Sequence, residues 1–168
     1  MPAGSTYSTI ATYTVTSAPS FGAITLSSIP QTYTDLILVI NGSIASGSNG
    51  IRCRPNNDSS STYSETILIG NGSSATSTRT SDNSIFYEIG ILGSENSTTI
   101  IQFQNYSNTT TKKTILSRTN VAASTVRAGV YLWQSTSAIS SIWLDNTVGN
   151  SNNWTTGSTL TLYGITAA

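Results

Sequence analysis

Hydrophobic and polar positions fall into two kinds of pattern along this chain. The most apolar stretch is Tyr33–Ile44, YTDLILVINGSI, in which Leu36, Ile37, Leu38, Val39 and Ile40 run unbroken. Ile29-Pro30-Gln31-Thr32 opens it with a turn signal and Asn41-Gly42 closes it. A short apolar run rich in β-branched residues and bounded by turns reads as a strand buried on both faces, because a helix would need more length. Elsewhere apolar and polar residues alternate with period two. Within Ser84–Leu92, Ile85, Tyr87, Ile89 and Ile91 share one face. Within Thr98–Tyr106, Ile101 and Phe103 stand opposite Ile100, Gln102 and Gln104.

The same reading predicts strands over Ile10–Thr16, Phe21–Leu26, Gly50–Arg54, Tyr63–Ile69, Lys113–Val121, Val126–Trp133, Ile139–Asp145 and Thr159–Ile165. Helical periodicity is nearly absent. About ten short strands punctuated by turns predict an all-β chain, a jelly-roll-like two-sheet antiparallel β-sandwich. Residues 1–9 are predicted as an extended polar N-terminal arm and residues 10–168 as one domain. Two polar stretches, Gly70–Asn83 and Gly149–Thr156, read as long loops, the second with Trp154 inside it.

Composition narrows the chemistry. Charged residues make up 8% of the chain and the net charge is zero, against about 25% charged in an ordinary soluble domain. Hydroxyls and amides must supply the solvation, and about a third of the chain is Ser or Thr. The scattered basic residues give no field for nucleic acid. Lys112-Lys113 reads as a solvated strand start. No apolar run approaches a membrane span, and the opening MPAGSTYSTI lacks the basic and apolar regions of a signal peptide.

Histidine is absent, which removes Ser-His-Asp and Cys-His sites. The single cysteine, Cys53, excludes an internal disulfide and reads as a small buried apolar residue, with Arg52 and Arg54 on the other face. Glu88 and Asp145, both on predicted strands, are the one candidate carboxylate pair for glycosidase chemistry. Asp58 and Asp82 are candidate calcium oxygens, without the spacing of a known loop. These signals fall short of a site, so the expectation is no enzyme, no cofactor and no metal. Trp154 beside Asn152 and Asn153 fits core packing, a subunit contact or sugar stacking.

Three segments carry a resemblance. MPAGSTYSTIATYTV at the start, SSIPQTYTDLILVINGS followed by RPNNDSSSTYSETILIGNGSSATS, and AISSIWLDNTVGNSNNWTTGSTLTLYGI at the end resemble small virion structural proteins of tailed bacteriophages, including phages of cyanobacteria. That group includes head decoration or cement proteins, head fibres and tail-associated proteins. The resemblance implies a jelly-roll-like sandwich, often trimeric, without enzymatic activity. The resulting expectation is a decoration protein made in the bacterial cytoplasm and carried on the outer surface of the virion. It would bridge major capsid proteins as a homo-oligomer, with no nucleic-acid or membrane partner. Ser5, Thr6, Tyr7 and Ile10 are the expected contacts to shell or neighbour, and Asn152, Asn153 and Trp154 the expected contacts of the outward loop. The alternative is a tail-fibre or receptor-binding module, with Trp154 and the amide-rich loops holding a host-surface glycan.

Overall fold

The computed structural model describes residues 6–17, 23–60, 62–122, 124–146 and 154–166. These residues form twelve strands: β1 (Tyr7–Thr14), β2 (Ile24–Leu26), β3 (Asp35–Gly42), β4 (Ser48–Pro55), β5 (Tyr63–Gly70), β6 (Ala75–Asn83), β7 (Phe86–Gly93), β8 (Ser97–Phe103), β9 (Lys113–Val121), β10 (Thr125–Trp133), β11 (Ile142–Asp145) and β12 (Thr159–Ile165). They build two antiparallel sheets, ordered β1-β12-β3-β8-β9-β10-β5-β6 and β2-β11-β4-β7. The chain is the β-sandwich that its alternation predicts.

The topology resolves into a jelly roll with an addition. The half-sheet β1-β12-β3-β8 faces β2-β11-β4-β7. Successive strands cross between the sheets, as in an eight-stranded double Greek key. The remaining four strands are two sequential hairpins, β5–β6 between β4 and β7, and β9–β10 between β8 and β11. The hairpins join side by side through β10 and β5 in full register, Val126 opposite Gly70 and Trp133 opposite Tyr63. They lengthen only the larger sheet, as a four-stranded wing.

Period-two alternation places the core. Leu36, Leu38 and Ile40 of β3, Ile101 and Phe103 of β8, and Leu160 and Leu162 of β12 are fully buried between the sheets. Apolar residues removed from water at this density supply the main driving force, about 25 cal/mol per Å2. The aromatic core continues under the wing, where the Tyr63 ring meets Phe86 edge-on at 4.8 Å and Phe86 meets Tyr131 at 5.3 Å. Gly90 lets β7 come close to the larger sheet. A Cβ there would lie 2.6 Å from Thr99 Cγ2 and 2.9 Å from Ile51 Cδ1.

Several sequence expectations are corrected. The run Leu36–Ile40 is buried on one face only, since Ile37 and Val39 are half-exposed on the outside of the larger sheet. The arm expected over residues 1–9 gives way to strand at Tyr7, which pairs with Ile165. The loop expected over Gly70–Asn83 holds β6, a Thr-rich strand with exposed residues throughout except the half-buried Asn83. Its alternation is invisible because neither face is apolar. Lys113 is 1% exposed rather than solvated. Its Nζ donates to the carbonyls of Asn108 at 2.7 Å, Thr111 at 2.8 Å and Thr136 at 3.2 Å.

Candidate functional site

The carboxylates are the first place to look for chemistry, and arginines occupy the two that the sequence singles out. Glu88 Oε2 on β7 accepts from Arg127 on β10 at 2.5 Å. Asp145 on β11 is held by Arg52 of β4, its registered neighbour, through Nε at 2.6 Å and Nη2 at 2.5 Å. That bidentate bond is the main reason the Arg52 guanidinium sits above its ordinary range. The two carboxylates bind different arginines.

A third carboxylate, Glu65 on β5, is 6% exposed and was not singled out from the sequence. It accepts from the Thr80 hydroxyl at 3.3 Å and from Tyr87 N at 3.2 Å. It thereby ties the wing to β7. Burial raises its pKa above the usual carboxylate range; bonds from Tyr87 and Thr80 oppose that rise, and nearby Glu88 adds to it. The sequence signal that marks it is the charged residue among buried alternates in YSETI, since Tyr63 and Ile67 lie two residues to either side.

Asp58 serves structure. Its Oδ1 accepts from Ser60 N at 2.9 Å and Ser60 Oγ at 2.7 Å, and its Oδ2 accepts from Trp133 Nε1 at 2.8 Å. Partial burial works against ionisation there, and these bonds outweigh it, so the pKa is lowered. Asp82 sits at the β6 irregularity with φ 59° and is exposed. No group of three or more His, Cys, Asp or Glu among the described residues is placed to hold a metal ion. Cys53 is buried, and burial pushes its thiol far above its ordinary value, so it is not a nucleophile.

The expected contact residues are dispersed. Thr6 is exposed. Tyr7 is 55% exposed on β1, an edge of the larger sheet, and its ring lies edge-on to Tyr163 at 6.2 Å. Ile10 packs partly against the core, at the irregularity between Thr9 and Ala11. Ser5, Asn152 and Asn153 lie outside the described residues. Trp154 is 1% exposed and bridges to Ile44, so of its three expected roles it takes core packing, and sugar stacking is overturned. Tyr7 pairs at the Ile165 end of β12 and Trp154 precedes the Thr159 end, so the two do not meet in one site.

Among the described residues, no element covers the outer face of the larger sheet. Register carries one row across it: Tyr163, Ile37, Gln102, Leu116, Val130, Thr66. The next row is Val39, Ile100, Arg118, Ala128, Leu68. Exposure rises toward the wing, reaching 53% at Val130, 59% at Leu68 and 63% at Val126. A shallow depression of about 430 Å3 is lined by Ile37, Leu68, Ile100, Leu116 and Val130. The period-two pattern contains these residues, but from sequence Ile37 counts as part of the second buried face of the central strand.

Comparison with known proteins adds little. No protein-family model and no curated protein matches the chain. Among solved structures, a Shewanella oneidensis MR-1 protein of unknown function aligns over 100% of this chain and 82% of its own length, at 10% identity and a TM-score of 0.22. A score that low carries no argument about either molecule.

Proposed function

We propose that this protein is a non-enzymatic part of a bacteriophage particle, a decoration or cement protein on the outside of the head. The observation that carries the reading is the broad, charge-poor apolar sheet face left uncovered on a jelly roll whose candidate carboxylates are held by arginines. Such a surface gains free energy by being covered, and large buried interfaces are how structural parts hold together. The resemblance of the three quoted segments to small phage virion proteins supplies the setting. In this reading many copies each add a modest contact to neighbouring major capsid proteins, and the contacts act together against internal pressure. The β1 edge, with Thr6 and the exposed Tyr7, is the proposed shell contact. The copies associate with one another as well as with the shell. The glycan-binding alternative rested on an exposed Trp154 and loses that support, because Trp154 is in the core.

The test is to label this protein on virions of the phage that encodes it and to count its copies. Label distributed over the head, at hundreds of copies per particle, supports decoration. Label confined to the tail, or about a dozen copies per particle, refutes it.

A further inference from the structure

We propose that the outer face of the larger sheet is a homotypic contact surface, covered by the same face of a second copy of this chain. The inference deepens the oligomeric part of the reading above and does not depend on the shell.

The first observation is where exposure falls. The jelly-roll half of the face keeps Ile37, Val39 and Ile100 half-buried. The wing, by contrast, presents Leu68, Val126 and Val130 at more than half exposure. An aliphatic cluster of this kind on a sheet surface marks an interaction site.

The second observation is β6. It pairs with β5 on one side, is open on the other, and buries no side chain on either face. Its own chain holds it only through the backbone pairing with β5 and the Thr80–Glu65 bond. A long edge strand without proline, guarded only by Arg79, Asp82 and the irregularity beside them, is a pairing hazard unless something covers it. Beside the aliphatic cluster β6 presents Ala75, Ser77 and Arg79, a small and polar margin. Thr12, Thr161 and Thr159 form a similar margin on the β1 side. An apolar centre with a polar rim is the anatomy of a protein interface.

Three arguments identify the occupant as a second copy. Area is one: eight strands at about 4.8 Å spacing, each about eight residues long at about 3.4 Å per residue, give a face of roughly 1,000 Å2. Each partner in a standard stable complex buries about 800 Å2. Charge is another. Across the sheet the outward side chains carry only Asp35, Arg118 and, at the β6 rim, Arg79, so each face holds a single net positive charge and its centre pairs one charge of each sign, and two identical faces meet with little repulsion. Shape is the last. A twisted sheet packs face to face on another sheet of the same twist, with strands about 30° apart, and a second copy supplies that twist by construction. This contact is two-fold and self-complementary. It differs from the trimer that the family resemblance implies, which would use two different surfaces.

The experiment is sedimentation velocity of the full chain up to about 100 µM, a range in which micromolar association is resolved. The wild type is expected to be a dimer. Leu68→Arg and Val130→Glu place charges at positions already more than half exposed, so the fold is retained, and unchanged near-ultraviolet circular dichroism verifies this. Each is expected to weaken dimerisation by at least about 100-fold, as a charge at an interface centre does. Tyr87→Arg, on the smaller sheet, leaves the dimer intact. A wild type monomeric at 100 µM overturns the inference, and so does any oligomer that both face variants leave unchanged. A dimer broken by Leu68→Arg in a protein absent from phage heads would sustain this inference and remove the reading above.

Discussion

Replacing Lys113 by methionine tests the account of the buried amine. The substitution keeps the side chain's length and removes its charge and donors. The Nζ makes three bonds to carbonyls, two of them in the turn before β9 and the third in the segment after β10. Each buried carbonyl left unpaired costs about 1–3 kcal/mol, and bonds from a charged donor lie at the upper end. Two effects offset the loss. Asn108 is half-buried while Thr111 and Thr136 are exposed, so part of the turn can turn its carbonyls to water. The ammonium's own desolvation, several kcal/mol, disappears with the charge. The balance is a loss of about 3 kcal/mol, which lowers Tm by roughly 6–12 °C for a chain of this size. Urea titration and differential scanning calorimetry read both quantities. A loss below about 1 kcal/mol refutes the reasoning, because it would mean that the three carbonyls find water at no expense. Lys113→Arg, which keeps the charge and alters the reach, is expected to fall between the two.

Two further outcomes follow from other sites. Trp154→Ala should cost about 3–5 kcal/mol in urea unfolding, the range for deleting a buried aromatic. Trp154→Phe should cost far less, because the indole Nε1–H is buried without an acceptor among the described residues; equal losses for the two would contradict its placement. Glu65 governs a pH dependence. Its folded pKa is raised above the ordinary 4.5, so the protonated form favours the fold. The stability it contributes is complete below about pH 4.5 and is lost as pH rises through the folded value. Glu65→Gln should remove that slope and be at least as stable as wild type at pH 7, and a lower urea midpoint for the variant at pH 7 would refute the sign.

Architecture was legible in the sequence because a sandwich core requires period-two alternation. Two strands, Lys113–Val121 and Thr159–Ile165, have the predicted bounds, and most of the others agree within a few residues. Two kinds of feature were not legible. β6 lacks an apolar face, so ATSTRTSDN reads as loop until β5 lies beside it to accept its backbone hydrogen bonds. Long polar side chains that become buried also mislead. Lys113 and Glu65 look solvated, because the carbonyls and hydroxyls that satisfy them come from other turns and strands.

By itself, then, the sequence determined an all-β chain, its core strands, the burial of Cys53 and the absence of histidine chemistry. Each follows from residue type and local spacing. Only the tertiary structure decided that Ile37 and Val39 face outward, that two hairpins extend one sheet beyond the other, and that Trp154 lies inside. Those outcomes depend on which strands become neighbours, and pairing between strands far apart in the chain leaves no mark in the local pattern of either.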